Sequence, residues 1–329
     1  MSQNQAGVAV RAAKSDDIPK IVELCEAERR RYEVGYANFY AVAPDYAQKK
    51  TESVAQLIDS DNALALVHET GGQIDGLILG RLVNAPPVYN PGGMVCLIED
   101  FLVASPQGWP KTGAALEKAA NERVRQLGGV LLVVESMHTA TSKRDLLLST
   151  GFNIASDWFC RDIDLFEPGW KLVGEIEPAT LADVPALVDL CERRRMQYQR
   201  YQPIFWRKAA DAADKQRPYL SWLIADGKSI SLVHRTNKTI DGFIIANPSA
   251  SSPFFDRHGP SCNIDDFTVA DDSQWQIGSW LLYTATTKAK SMGAVCSQVI
   301  CGDADLSKRR MLDQMGYQIG HEWLVRPVQ

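Results

Sequence analysis

The chain of 329 residues has no excess of positive charge and no long hydrophobic run. Its 35 Lys and Arg are outnumbered by 40 Asp and Glu, and the net charge of −5 argues against nucleic-acid binding as its main role. No apolar run approaches the roughly 20 residues that cross a bilayer. The polar start lacks a basic segment followed by an apolar one, so we expect no secretion signal. These absences predict a cytoplasmic protein with neither a nucleic-acid nor a membrane partner.

A cysteine framework is also missing. The seven cysteines are odd in number and include no C-x-x-C pair, so they predict neither a disulfide scaffold nor a metal site. Cys25 and Cys191 recur on equivalent apolar helix patterns, and Cys96 and Cys262 recur on equivalent apolar strand patterns. Such settings favour buried, reduced thiols.

What the chain does contain is a repeat of its own first half. The run IEDFLV at residues 98–103 returns as IDDFTV at 264–269, a spacing of 166 residues, and Gly151-Phe152 returns as Gly316-Tyr317 at a spacing of 165. A repeat this long, with one slip located in a loop, predicts two copies of a whole domain. We place the first domain at residues 1–165, a linker at 166–173 and the second domain at 174–329.

Each copy shows the same order of predicted elements. A strand is followed by two helices, a hairpin, the acid-bearing strand, a glycine-marked turn, a long helix, a strand, a short helix and a last strand. In the first copy the hairpin turns at residues 70–73, the short helix covers about 142–150, and the last strand lies near 158–163. The arginine runs 29–31 and 193–195 are interpreted as solvated helix faces.

This order resembles the GNAT N-acetyltransferase superfamily, twice over and across nearly the whole chain. The resemblance implies an α+β fold of two tandem domains, each a mixed, mostly antiparallel sheet flanked by helices. It also implies an acetyl-CoA-dependent N-acyltransferase that acetylates a small-molecule amine and exists as a monomer or homodimer. The alternatives are a non-catalytic CoA-binding or sensing protein with one or both copies degenerate, and a scaffold in which one copy only packs against the other.

The resemblance places the acetyl-CoA site at the glycine-marked turns. Members of this family hold the pyrophosphate on the backbone amides of an R/Q-x-x-G-x-G/A turn, where a helix begins. The match is imperfect, since Pro110 supplies no N–H and Lys111 replaces a glycine. Asp271 and Asp272 should repel phosphates, which favours the first copy. The implied contacts are Val103, Lys111, Thr112, Gly113 and Ala114, and, in the second copy, Val269, Gln276, Ile277, Gly278 and Ser279.

The acid-bearing strand supplies the expected general base. Members of the family use a carboxylate here to take a proton from the attacking amine, because an ammonium cannot attack a thioester. Glu99 and Asp265 are the matching candidates, and Asp100 and Asp266 adjoin them. Side chains alternate along a strand, so only one acid of each pair can face a cleft. A carboxylate that pairs within the sheet is the alternative.

The general acid departs from the family pattern. The position of the usual tyrosine holds Leu147 in the first copy and Leu312 in the second, and leucine cannot donate a proton. His138 is a possible substitute in the first copy. Direct departure of the thiolate is the other possibility, because a thiol pKa of about 8.5 makes CoA a fair leaving group. Basic pairs at 143–144 and 308–309 either reach a CoA phosphate or form a solvated face.

Overall fold

The computed structural model describes residues 8–35, 37–163, 167–250 and 252–329. The predicted start of the linker, residue 166, lies outside them. The strands are β1 (Val8–Ala12), β2 (Ala63–Thr70), β3 (Gln73–Val83), β4 (Val95–Val103), β5 (Leu131–Met137), β6 (Asn153–Asp162), β7 (Glu175–Pro178), β8 (Ile230–Thr236), β9 (Thr239–Ser249), β10 (Ser261–Val269), β11 (Cys296–Gly302) and β12 (Gln318–Pro327). The helices are α1 (Ile18–Gly35), α2 (Ala37–Tyr40), α3 (Tyr46–Ile58), α4 (Ala114–Gln126), α5 (Thr141–Ser149), α6 (Val184–Tyr201), α7 (Ala212–Asp226), α8 (Trp275–Ser291) and α9 (Leu306–Gln314).

Helices cover both faces of the sheet because its strands alternate their apolar side chains. Ile78 and Ile98 pack with α4 on one face. Leu77 and Leu79 pack with α1 and α3 on the other. The second half is built in the same way, with α8 on one face and α6 and α7 on the opposite one. All seven cysteines are buried, which confirms the burial predicted for Cys25, Cys96, Cys191 and Cys262.

The twelve strands form one sheet in the order β1-β2-β3-β4-β5-β12-β6-β11-β10-β9-β8-β7. The pairs β4–β5 and β10–β11 are parallel, and the remaining neighbours are antiparallel. The predicted α+β class with a mixed, mostly antiparallel sheet is therefore confirmed. Within the described residues, no helix is both long enough and apolar enough to cross a membrane.

The last strand of each half lies in the other half. β6 pairs with β11, β12 pairs with β5, and the two exchanged strands pair with each other, with Glu322 opposite Asp157. Each half thus depends on the other for the strand beside its parallel pair. The predicted domain limits describe the repeat along the chain, and the exchange adds that the two copies share one sheet.

Loops between the halves follow the same reciprocal pattern. The Ala43 N–H, just after α2, donates to the Phe254 carbonyl at 3.2 Å, in the loop after β9. In the matching place the Ala209 N–H, after α6, donates to the Val88 carbonyl at 3.0 Å, in the loop after β3. The contacts between the halves therefore have an approximate twofold symmetry.

Local structure differs from the prediction in three places. The strand β6 begins at Asn153, five residues before the predicted start, because it pairs with β12 from Asn153 onward and with β11 as far as Asp162. The short helix α2 gave no periodic signal in only four residues. A π-helical turn, Trp109–Gly113, precedes α4 where a plain turn was predicted.

Candidate active site

Each half contains one place where parallel strands separate. β4 and β5 pair as far as Ile98 opposite Val134, although both strands continue beyond these residues. β10 and β11 pair as far as Ile264 opposite Val299 and then part in the same way. We call these openings the first wedge and the second wedge. Both lie at the carboxyl ends of the parallel strands.

A β-bulge occurs at the narrow end of each wedge. On β4 the register passes from Asp100 to Ile98, so Glu99 has no partner on β3. Asp265 is skipped in the same way on β10. A bulge bends its strand and re-aims the extra side chain. The two candidate bases are thus the two bulge residues, which no local sequence signal would have shown.

The two bulge acids have different surroundings. Glu99 is half-buried and accepts a hydrogen bond from Arg81 at 3.1 Å. Asp265 is exposed, and among the described residues it has no hydrogen-bond or ion-pair partner. Partial removal of solvent, together with repulsion from Asp266, raises the pKa of Asp265 to about 6. A carboxylate with that pKa can act as a base near neutral pH.

The neighbouring acids point into the protein. Asp100 is 5% exposed and lies between Lys50 and Arg29, whose guanidinium is 3.3 Å away. Burial opposes ionisation of Asp100, but the two cations outweigh it and lower its pKa to about 2. Asp100 is therefore a carboxylate that pairs within the fold, the alternative that the sequence left open.

The interpretation of the arginine runs as solvated faces is wrong for three of their members. Arg29 pairs with buried Asp100, Arg194 is almost fully enclosed, and buried Arg195 donates to Glu192 at 2.5 Å. Three consecutive residues cover most of a helical turn, so part of such a run must face the sheet. The other arginines, such as Arg30 and Arg193, are exposed.

A buried lysine enters each wedge from the short helix beside it. Lys143 on α5 donates to the Glu135 carbonyl at 2.7 Å, on β5 just past the separation. Lys308 on α9 donates to the Ile300 carbonyl on β11 at 2.8 Å and to the Phe267 carbonyl on β10 at 3.3 Å. Both lysines are 2% exposed, so the idea that they form a solvated face is wrong. Lys308 links the two separated strands, whereas Lys143 bonds to one.

Further contacts close the second wedge. Arg194 donates to Thr268 on β10 at 3.0 Å and to Asp305 at the start of α9 at 2.9 Å. The Tyr198 hydroxyl accepts from the Gly302 N–H at the end of β11 at 3.2 Å.

In the first half, the residue that matches Arg194 is Glu28, whose hydrogen bonds lie within α1. Its carboxylate accepts from Arg31 at 2.9 Å and from Tyr32 at 3.0 Å. In the described part of the chain, Glu28 forms no hydrogen bond or ion pair with β4 or β5. The first wedge therefore lacks the bridge that Arg194 forms across the second.

The two candidate phosphate turns also differ. In the first, Lys111 is exposed, while Thr112 and Gly113 are buried. In the second, the Asp271 carboxylate accepts a hydrogen bond from the Ser273 N–H at 2.8 Å. One backbone amide of this turn is therefore already bonded to an anion of the chain itself. Arg194 holds Asp272 at 3.0 Å. The remaining predicted contacts are placed as follows: Val103, Val269, Gly278 and Ser279 are buried, and Ala114, Gln276 and Ile277 lie in the first turns of α4 and α8.

The turn glycines make room for tryptophans. An added Cβ at Gly113 would lie 2.6 Å from the Trp109 ring, and one at Gly278 would lie 2.5 Å from the Trp275 ring. Gly113 has ordinary helical dihedrals, with φ of −62°. The smallness of these glycines is thus needed for packing of the tryptophans against the helices. Lys111 is the more direct probe of an anion at the first turn.

The acid candidate His138 contacts the exchanged strand β12, and the two leucines pack in the cores. His138 Nδ1 is 3.0 Å from Glu322, which the exchanged strand β12 brings from the other half. The same carboxylate forms an ion pair with Arg144, whose Nε is 3.1 Å from it. Leu147 and Leu312 are fully buried in the two cores, where they only pack.

No protein-family model and no curated protein matches this chain. A solved GCN5-related N-acetyltransferase from Sphaerobacter thermophilus is similar over 98% of this chain and 96% of that one, at 14% identity and a TM-score of 0.56. A tandem GNAT protein from the clavulanic acid biosynthesis pathway (98% and 99% covered, 11% identity) has a TM-score of 0.49. A GNAT-family acetyltransferase from Colwellia psychrerythraea also has a TM-score of 0.49, at 10% identity, and the match covers 98% of this chain and 100% of that one. With the Sphaerobacter structure as the basis, the chain has the fold of the GCN5-related N-acetyltransferases, built from two repeated halves.

Proposed function

We propose that the protein is an acetyl-CoA-dependent N-acyltransferase that transfers an acetyl group to a small-molecule amine, with the first wedge as its working site. The fold supports acyl transfer in general terms. The choice of the first wedge rests on one observation: Lys308 joins both strands of the second wedge, whereas Lys143 bonds to one strand of the first. A thioester arm needs separated strands with free backbone groups between them.

In this proposal the chain's own residues take three roles. The first turn and the exposed Lys111 bind the CoA pyrophosphate, because amides at a helix start and an ammonium both favour an anion. β4 and β5 receive the thioester arm between them. Glu99, at the narrow end, takes the proton of the attacking amine through water. The buried, unpaired thiols of the chain support a cytoplasmic location.

A second candidate function applies to the second half. There Asp271 occupies a turn amide, and Lys308 and Arg194 bridge the wedge. These contacts favour a degenerate copy that packs against the first and completes its sheet through β12. If the first half is degenerate as well, the whole chain would be a CoA-binding or sensing protein without catalysis.

Calorimetry with CoA tests the proposal. We expect one CoA per chain for the wild type, about tenfold weaker binding for Lys111→Glu because a charge-assisted contact becomes repulsive, and no change for the matched Gln276→Glu. Absence of CoA binding to the folded wild type would refute the proposal. A loss in Gln276→Glu alone would move the site to the second half.

A further inference from the structure

Lys143 lies next to the position from which the usual acid is missing. It precedes Leu147 by one turn of α5, so the two side chains share the face that packs on the sheet. Both are buried. The side chain of Lys143 is long enough to pass the core and reach the wedge, which Leu147 does not.

The ammonium sits between the separated strands. Its Nζ is 2.7 Å from the Glu135 carbonyl, and Glu135 is the first residue of β5 past the last paired position. On the side of β4 it lies 5.9 Å from the ring centroid of Phe101. This places a proton donor at the narrow end of the first wedge, the level of β4 at which the bulge at Glu99 occurs.

The charged groups that face Lys143 come from three elements. Glu28 and Arg29 extend from α1, Asp100 from β4 and Glu135 from β5. Burial is the strongest influence and lowers the pKa of Lys143 to about 8, although the carboxylates oppose the shift. At neutral pH the group is mostly protonated, and it releases its proton far more readily than an exposed lysine.

We propose that Lys143 is the general acid that protonates the departing CoA thiolate, an inference that rests on the proposed acyl transfer. The ammonium form of the amine gives one proton to Glu99, and the neutral nitrogen then forms a bond to the thioester carbon. As the carbon–sulfur bond breaks, the nitrogen gives its second proton to solvent and sulfur takes a proton from Lys143 Nζ. Glu99 releases its proton to solvent, and the neutral lysine regains one from it. The products are the acetylated amine, the CoA thiol and one net proton.

Lys308 is the matched control within the same chain. It occupies the equivalent position on α9 and is equally buried, but its Nζ is engaged by carbonyls of both strands. The inference therefore requires Lys143 to affect bound CoA and Lys308 to have no effect.

The decisive experiment follows the thiol of CoA bound to the intact protein, by the ultraviolet absorbance of the thiolate as pH is raised. A cation beside the sulfur should lower the pKa of the bound thiol by about one unit or more. We expect this shift in the wild type, Lys143→Arg and Lys308→Met, and its loss in Lys143→Met. Desulfo-CoA, which lacks the thiol, should bind the wild type and Lys143→Met equally well, which shows that the site is intact.

Turnover with an amine panel separates proton donation from mere charge. Arginine keeps the charge but does not release a proton, so Lys143→Arg should lower kcat by about 10²- to 10⁴-fold despite normal CoA binding. An unshifted thiol pKa in the wild type, or full turnover by Lys143→Arg, would overturn the role of Lys143. Failure of the wild type to bind CoA, or to acetylate any amine, would instead refute the acyl transfer on which the inference rests.

Discussion

The paired acids at the bulges show how single residues distinguish two otherwise equivalent halves. Asp100 is neutralised by Lys50 and Arg29, whereas the residue matching Lys50 in the second half is Gln216, a neutral donor 3.3 Å from Asp266. Burial therefore raises the pKa of Asp266, while the cations lower that of Asp100. The surroundings of this position therefore favour ionisation of the acid in the first half and oppose it in the second.

Asp100→Asn should lower the free energy of unfolding by about 3–5 kcal/mol, because it leaves two buried cations without an anion. The matched Asp266→Asn should change it by less than about 1 kcal/mol, since a neutral amide suits that site. Urea unfolding at pH 7 measures both. Equal losses in the two variants would contradict this account.

The pH dependence follows from the sign of the Asp100 shift. Its pKa in the folded protein, about 2, lies below the ordinary 3.8, so its contribution is complete above the ordinary value and is lost as pH falls toward 2. The stability difference between wild type and Asp100→Asn should therefore shrink over this acid range. A difference that stays constant from pH 7 to the acid limit would show that Asp100 does not act through its charge.

Glu99 and His138 should differ strongly in kinetics. Glu99→Gln should lower turnover by about 10²- to 10⁴-fold and recover partly at high pH, where the amine loses its proton unaided. His138→Ala should cost little, because its imidazole is tied to Glu322. A pH–rate profile in which His138→Ala is the crippled enzyme would reverse the two assignments.

Helices α1 and α6 occupy equivalent positions but form different bonds to the strands of their wedges. Arg194 on α6 bonds to a strand and to the start of α9, so it fixes three elements around the second wedge. Within the described residues, the hydrogen bonds of Glu28 on α1 come from Arg31 and Tyr32, about one turn away. Arg194 therefore joins β10 to α9 across the second wedge, whereas α1 contacts the first wedge on the β4 side, where Arg29 pairs with Asp100.

Arg194→Ala should lower the free energy of unfolding by about 3 kcal/mol, because Asp305 is 1% exposed and loses its counter-charge. Glu28→Ala should cost under about 1 kcal/mol, as expected for pairs within one helix. Denaturant melts of the two variants decide the matter. A cost for Glu28→Ala as large as that for Arg194→Ala would mean that the first wedge is fastened too.

At the scale of the whole molecule, the exchanged strands make the halves interdependent. β12 completes the sheet of the first half, and β6 completes that of the second. Either half alone would leave its β4–β5 or β10–β11 pair with an open edge. Open edges of this length associate with other strands.

A fragment of residues 1–166 should therefore form a homodimer in which two copies of β6 take the places of β6 and β12. Light scattering after size-exclusion chromatography measures its mass. A control fragment of residues 1–152, which lacks β6, should not form a defined dimer. A well-folded monomer of the longer fragment would show that β6 can fold back onto its own half.

The sequence by itself determined the features that depend on local pattern. The repeat, the order of strands and helices, the buried cysteines and the position of both bulge acids on strands follow from periodicity and from matched residues. Even Leu147 and Leu312, as unsuitable acids, were evident from their positions.

Only the tertiary structure decided which half of the chain each last strand joins. β6 and β12 are equivalent copies, so their own sequences favour either sheet, and the choice depends on long-range packing. The separation of β4 from β5, the burial of Lys143 and Arg29, and the bridge that Lys308 makes arise from the same long-range contacts. The sequence alone predicts that a lysine such as Lys143 is exposed. It becomes a candidate acid only because helix α5 places it between two separating strands.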